Sequence, residues 1–354
     1  MPTICRLQVT ERRDEGMNNN SGNDKTMTIH DVARELGVSA STVSRAISGK
    51  GRIGAATRDR ILDYIEEHGF YPNAAAQSLA QSKTNNIAII LPEVNTLVDM
   101  PFFHTCMYGV EEVAQANDYD IIVVTTNGND TKPLERLIQN RKVDGMILTR
   151  TYENDKYVKF LKQKQIPFVA VGKFPDDDVV QVDHDNVGAC RELVTVLFAK
   201  GIQNIAYLGS DMDQMVNRCR YQGYEEAYRK GKRKLNPDLV YTDLSSKAMV
   251  EKAVEELKKS GVECILCQDD YICDEAVRKL SHMGVRIPDQ MKVASCHYSR
   301  ILENYPVTVT SLKFNITELG RRSCQVLLDM IHGKTVPDKT LLDYEIILKE
   351  STKG

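Results

Sequence analysis

The chain has 354 residues, 42% of them hydrophobic and 27% charged, with 46 Lys and Arg against 49 Asp and Glu and a formal net charge of −3. That composition supports sizeable cores in about two or three domains, and it excludes a polycation whose whole surface is meant for nucleic acid. No apolar run is long enough to span a bilayer, and no signal peptide is legible. The nine cysteines, an odd number, then point to reduced thiols in a cytoplasm.

Residues 1–26 differ from the remainder. Asn18-Asn19-Asn20-Ser21-Gly22-Asn23-Asp24 is polar, and Met17 and Met27 are alternative starts. The stretch reads as a disordered tail or a misplaced start, with no function attached.

Residues 28–48, TIHDVARELGVSASTVSRAIS, carry the most information. Thr28 can cap a first helix, with Asp31 three positions on to return the bond. Ile29, Val32, Ala33 and Leu36 fall on one buried stripe. Gly37 can take the left-handed conformation that stops the helix. Ser39 can cap a second helix, with Val38 and Val43 as its hydrophobic staple and Val43 and Ile47 inward. Ala40, Ser41, Thr42, Ser44 and Arg45 are left outside. A solvated face would carry Glu and Lys; short polar side chains with one arginine allow close approach to phosphates and base edges. The pattern is that of a helix-turn-helix, although on these residues alone a small amphipathic hairpin without a DNA role also fits. Residues 28–60 hold six basic side chains (Arg34, Arg45, Lys50, Arg52, Arg58 and Arg60) against three acidic ones, a modest DNA footprint.

A third helix over 56–68 places Ile61, Leu62 and Ile65 on one face, and Gly69 closes it. Next comes Pro72-Asn73-Ala74-Ala75-Ala76-Gln77-Ser78-Leu79-Ala80. Proline opens this piece, alanines permit a helix, and its length makes an isolated helix marginal in water. It is either a plain linker or a helix that forms only when docked.

From Asn86 the rhythm changes. Short apolar strands are expected at 87–91, 120–124, 143–148, 167–171, 204–208, 263–267 and 291–295, most of them separated by helical segments, with a last strand at 341–348. That alternation predicts parallel sheets covered by helices on both faces, in two similar lobes with a ligand site between them. Cys264 and Cys267 have CxxC spacing but sit in an apolar run like a buried strand. No second CxxC or His pair completes a zinc site, and neither a metal nor a cofactor is expected.

With these residues in view, the chain resembles the LacI/GalR family of bacterial transcription regulators from about residue 27 to the C-terminus. The resemblance rests on TIHDVARELGVSASTVSRAISG, ATRDRI, YPNAAAQSLA, PFFHTCMYGVE, VDGMIL, RYQGYEEAY and VRIPDQMKVAS, in that order. It implies an all-α helix-turn-helix headpiece (27–71), a hinge helix and linker (72–84), and a core over 85–354 like a periplasmic sugar-binding protein. The core would have two doubly wound parallel-sheet lobes, about 85–183 with 311–337 and about 184–310 with 338–354. It further implies a cytoplasmic, nucleoid-associated homodimer that reads a pseudo-palindromic operator in double-stranded DNA and answers to a small molecule, a sugar by preference. No heptad segment follows the last strand, so a dimer is expected and not a tetramer.

Roles carry over where residues match. Ala40, Ser41 and Arg45 occupy positions facing base edges in the major groove. Thr28, Ser39, Thr42, Ser44 and Thr57 match phosphate-contacting positions. Asn73, Ala76 and Leu79 belong to the hinge, where the leucine wedges into a base step from the minor groove. Position 54 is Gly where the family more often has Ser, so the third helix lacks a cap.

In the core, Arg220 of Arg220-Tyr-Gln-Gly223 matches the ligand-gripping arginine, whose fork of donors suits hydroxyls, a carboxylate or a phosphate. Asp269 and Asp270 stand where Asn-Asp faces the cleft, and Phe103 matches an aromatic that stacks on a ligand. For Asp183 and Arg150 a cap or an ion pair explains the position as well as a ligand contact does. After Ser295 the family usually shows Gly-Phe-Asp-Asp, whereas this chain has Cys296-His297-Tyr298. Either the ligand is not a simple sugar or His297 supplies the contact.

The expected mechanism couples lobe closure to the paired hinges, so that effector and DNA affinities change reciprocally. A family regulator controlled by a protein corepressor is the alternative. A solute-binding protein would need a signal peptide and would lack 28–80. A sugar-metabolising enzyme would show a P-loop, GxSxG or paired carboxylates, none of which is legible, and no catalytic residue is expected.

Overall fold

The computed structural model describes residues 27–49, 51–70, 83–92, 101–126 and 130–353. The chain divides into two compact units, residues 1–81 and 82–354. The piece expected as a hinge helix, with Asn73, Ala76 and Leu79, lies outside the described residues.

The first unit holds three helices: α1 (Ile29–Leu36), α2 (Ala40–Ser48) and α3 (Ala55–Glu67). Thr28 and Asp31 form a reciprocal capping box, and Gly37, in the left-handed conformation, ends α1. Val32, Ala33, Val43, Ala46, Ile61 and Phe70 make the buried centre, with Ile29, Leu36, Val38, Ile47, Tyr64 and Ile65 packed against it. Two expectations change. Leu62 is turned outward, 38% exposed, because Ile61, Tyr64 and Ile65 already fill the inner face of α3. Ala40 is half-buried against the core and not fully outside. Gly54 precedes α3 without a side-chain cap, as its missing hydroxyl requires.

The second unit contains two six-stranded sheets. The first joins β1 (Asn86–Pro92), β2 (Asp120–Thr126), β3 (Gly145–Leu148), β4 (Phe168–Val171), β5 (Gln181–His184) and β11 (Lys339–Leu342) in the order β11-β5-β4-β3-β1-β2. The second joins β6 (Ile205–Leu208), β7 (Val240–Tyr241), β8 (Cys264–Cys267), β9 (Lys292–Ser295), β10 (Thr310–Phe314) and β12 (Tyr344–Ile347) in the order β12-β10-β9-β8-β6-β7. Helices α4 (Pro101–Ala116) and α11 (Ile316–Ile331) cover one face of the first sheet; α5 (Lys132–Gln139) and α6 (Lys156–Lys164) cover the other. Helices α7 (Asn186–Ala199) and α8 (Met215–Lys230) cover one face of the second; α9 (Lys247–Lys259) and α10 (Asp270–His282) cover the other. The central strands β1, β3, β4, β6 and β8 are thus buried on both faces, which is why they read as apolar runs, while β2, β11 and β12 at the edges are partly exposed.

The chain crosses between lobes three times, at 184–186, 314–316 and 342–344. This corrects the expected boundaries: residues 310–314 belong to the second lobe's sheet and 339–342 to the first's. The single strand expected at 341–348 is two, separated at Asp343, each completing a different sheet. Nor is the second sheet wholly parallel, since β10 and β12 pair antiparallel. Cys264 and Cys267 lie three apart on β8 and therefore face opposite sides, one in each of that lobe's apolar clusters. Burial pushes both thiols well above their ordinary range. They are packing residues, not a redox pair.

Helices α4 and α11 cross at glycine. A Cβ on Gly109 would stand 2.0 Å from the Thr317 carbonyl oxygen, and one on Gly320 2.0 Å from that of Cys106. This contact fixes α4, whose N-terminal turn carries Phe103 to the edge of the interlobe cleft.

Candidate functional site

In the first unit, the outer edge of α2 is a run of short hydroxyls. Ser39 Oγ accepts from the Thr42 N–H at 3.1 Å and contacts Ser41 Oγ at 2.8 Å and Thr42 Oγ1 at 2.7 Å. Ser41, Ser44 and Arg45 are exposed; Thr42 and Thr57 are half-buried. The stem of Arg45 lies along Gly51, where an added Cβ would meet its Cδ at 3.3 Å. Thr28, already bonded to Asp31, stands exposed at the start of α1. The surface is an uncharged, donor-rich strip with one guanidinium at its side. Such a strip can approach an anionic backbone without a desolvation penalty for carboxylates.

In the second unit, a cavity of about 280 Å³ lies between the carboxyl ends of the two sheets. Phe103, Arg150, Asp183, Arg220, Asp269, Asp270 and His297 all line it. They come from both lobes: α4, the loop after β3 and β5 on one side; α8, the loop after β8, the start of α10 and the loop after β9 on the other. Arg220 is buried, its Nε donating to Asn186 Oδ1 at 3.3 Å and its Nη1 to the Gln268 carbonyl at 3.0 Å. Both acceptors are neutral. They aim the guanidinium without neutralising it, and part of its donor fork remains for a guest.

The three aspartates differ. Asp183 is buried, and that burial pushes its carboxyl up to about 6, against the opposing pull of the His184 N–H, Arg220 and Asn186. Burial and the neighbouring Asp270 charge likewise raise Asp269, whose Oδ1 caps α10 by accepting from the Ile272 N–H at 2.9 Å. Burial also works to raise Asp270, but His297, 3.1 Å away at Nδ1, overrides it and holds that carboxylate down at about 2. His297 is thereby oriented by a carboxylate on Nδ1, which leaves its other ring nitrogen for the cavity. Arg150 lies 5.0 Å over the Phe103 ring. This alters the expected part of Phe103: the ring is buried and has a guanidinium on its face, so it seats Arg150 instead of offering that face for stacking.

Other lining groups were not singled out from sequence: His184, Asn186, Ser210, Gln214, Asn217 and Phe314. His184 packs 4.8 Å from Phe314, so the last residues of β5 and β10 touch where the chain crosses between lobes. Burial, then the charges of His297 and Arg220, lower the His184 pKa to about 4, so its imidazole is neutral at pH 7. The signal that could have found it is its place beside Asp183, just before a helix start. Among the described residues no group of three or more His, Cys, Asp or Glu could hold a metal ion, and no helix is long and apolar enough to cross a membrane.

The chain matches the model of the bacterial regulatory proteins of the lacI family over residues 28–73. It matches that of the periplasmic binding proteins and sugar-binding domain of the LacI family over residues 84–350. The chain belongs to the LacI family. Relatives include the HTH-type transcriptional regulator MalR of Streptococcus pneumoniae, 29% identical over 337 residues, 91% of this chain and 99% of that one. CelR of Thermobifida fusca is 28% identical over 332 residues, 92% of this chain and 98% of that one. Among solved structures, a CelR–cellobiose complex superposes with a TM-score of 0.71 at 26% identity, covering 92% of this chain and 99% of that one. The lac repressor dimer bound to operator and an anti-inducer superposes at 0.78, with 20% identity and coverage of 93% and 100%, and supports the fold. As a LacI-family member the chain is a DNA-binding transcriptional regulator: residues 28–70 build its helix-turn-helix unit and residues 83–353 its two-lobed α/β core.

Proposed function

We propose that this regulator is a repressor of carbohydrate-utilisation genes whose operator affinity is set by a sugar in the interlobe cavity. The observation that carries the reading is the buried Arg220, aimed by neutral acceptors into a cavity that also holds Asp183 and Asp269. Mixed guanidinium and carboxylate groups serve the donor and acceptor sides of a hydroxyl, which a polyol presents in series. The family's sugar-binding domain and the cellobiose complex of CelR point the same way.

On this reading Arg150, Arg220 and His297 donate to the sugar, Asp183, Asp269 and Asp270 accept, and Phe103 seats Arg150. Ser41 and Arg45 face base edges with Ala40 beside them. Thr28, Ser39, Thr42, Ser44 and Thr57 meet phosphates, and Asn73, Ala76 and Leu79 form the hinge that engages the minor groove. The working unit is a homodimer on a pseudo-palindromic operator. Lobe closure around the sugar moves the paired hinges and so couples the two affinities.

The test is a gel-shift titration of the full-length chain on an operator selected from random duplexes, against glucose, maltose and cellobiose. One sugar should shift the operator Kd by tenfold or more, a shift abolished by Arg220→Ala. No shift with any saccharide, on an operator the chain retains, would refute sugar control.

A further inference from the structure

The two lobes are joined covalently only along one edge, where β5 and β11 of the first sheet neighbour β10 and β12 of the second. A second connection lies away from that edge, between the loop after β3 and the loop before α8. Tyr152 and Gln214 form an isolated antiparallel bridge. The Glu153 N–H donates to the Asp213 carbonyl at 3.0 Å, and the Met215 N–H to the Thr151 carbonyl at 3.0 Å. Beside this bridge Arg218 grips Glu153 with both guanidinium nitrogens, Nη1 to Oε1 and Nη2 to Oε2, each at 2.7 Å. Its Nε donates to the Met212 carbonyl at 2.5 Å, so the fork is held flat against the loop it closes. Thr151, Gln214, Val216 and Asn217, within and next to this strap, line the cavity.

We infer that Glu153 and Arg218, with the Thr151–Met215 strap, form an interlobe latch beside the cavity, and that unlatching is the step that admits the effector. This rests on the cavity being the effector site, although the latch itself can be read without any ligand. The geometry favours a latch over an incidental surface pair for two reasons. A two-pronged pair spanning separate lobes acts on the motion that separates them, whereas a pair within one helix does not. The pair is also coupled to main-chain bonds that join the same two loops across the lobes. Its strength is modest because it is exposed: loss of such a pair changes an equilibrium about two- to fivefold. That suits a latch that must open for exchange.

The experiment is hydrogen exchange on the full chain without ligand. Glu153→Ala and Arg218→Ala should each speed exchange of the Glu153 and Met215 amides about two- to fivefold, with amides of β6 and β8 as the internal reference. The charge-swapped pair, Glu153→Arg with Arg218→Glu, should restore protection. A second readout places Val216→Cys on the cavity wall and follows maleimide labelling by peptide mass. Labelling should quicken in the Glu153→Ala background and slow again with the swap. Wild-type exchange and labelling in both single variants, or a swap that behaves like the singles, would overturn the latch. Neither readout depends on a sugar. A cavity that opens as described but answers to no saccharide would therefore count against the sugar reading and leave the latch standing.

Discussion

Arg220 shows why a single buried side chain can be assigned a task. A guanidinium that is 8% exposed and held by an amide oxygen and a carbonyl, with no carboxylate among the described residues within salt-bridge distance, has unspent donors in a ligand-sized cavity. Lysine cannot reproduce the fork. Arg220→Lys should weaken sugar binding by about 10- to 100-fold in a gel-shift titration, the range for a hydrogen bond to a charged group; an unaltered sugar response would make Arg220 a packing residue. Asp183 carries the opposite signature. Burial raises its folded pKa to about 6, above the unfolded value of about 3.9. The folded state therefore binds more protons between pH 4 and 6, and stability is lost as pH rises through that window. Asp183→Asn should leave stability unchanged below pH 4 and raise it relative to wild type by up to about 2–3 kcal/mol above pH 6, in urea unfolding followed across pH. A variant offset that does not depend on pH would remove the carboxyl as the cause.

Elements place these residues through contacts that tolerate little change. The α4–α11 crossing brings backbone against backbone at Gly109 and Gly320, and it sets the tilt of the helix that carries Phe103 and, over it, Arg150. Gly109→Ala must push the helices apart, because the obstruction is a carbonyl oxygen and not a flexible side chain. A loss of roughly 1–3 kcal/mol in unfolding free energy is expected from urea titration; a change within error would mean that α4 slides freely. In the headpiece, Thr28 ends the orphan-donor problem of α1 with two reciprocal bonds to Asp31, whose carboxylate the Thr28 hydroxyl and N–H hold below its usual range. Thr28→Ala should cost the headpiece about 1 kcal/mol, seen as faster amide exchange of α1 with the core's exchange unchanged. The caps and the helix-turn-helix spacing were legible in sequence because they are local: a Ser or Thr, a left-handed Gly and an inner stripe lie within twenty residues. The strands β5 and β10 were not. Gln181-Val-Asp-His184 and Thr310-Ser-Leu-Lys-Phe314 carry too few apolar residues to stand out, and their burial comes from neighbours distant in sequence. Missing them hid His184 and Phe314 and displaced the lobe boundaries.

For the whole molecule, charge placement decides how DNA binding responds to its surroundings. A chain of net charge −3 repels DNA except where residues 28–60 concentrate six cations against three anions. The proposed homodimer would offer two such footprints and about six neutralised phosphates, so operator affinity should fall roughly 10³-fold between 50 and 200 mM salt. A flat salt profile would show that the strip on α2 is not the DNA surface.

What the sequence determined by itself is what short-range chemistry encodes. It specified the helix-turn-helix and the alternation of strands and helices in two lobes, and the resemblance to the family pointed to most of the seven side chains that the fold gathers around one cavity. The elements could be read because strand ends and helix starts are punctuated locally. Tertiary structure alone decided the three crossings, the splitting of the last strand at Asp343, the seating of Arg150 on Phe103, the opposite directions in which the three aspartates are shifted and the Glu153–Arg218 pair. Each depends on which distant groups surround a residue and how much water they exclude. That is a property of the packed molecule and not of neighbours along the chain.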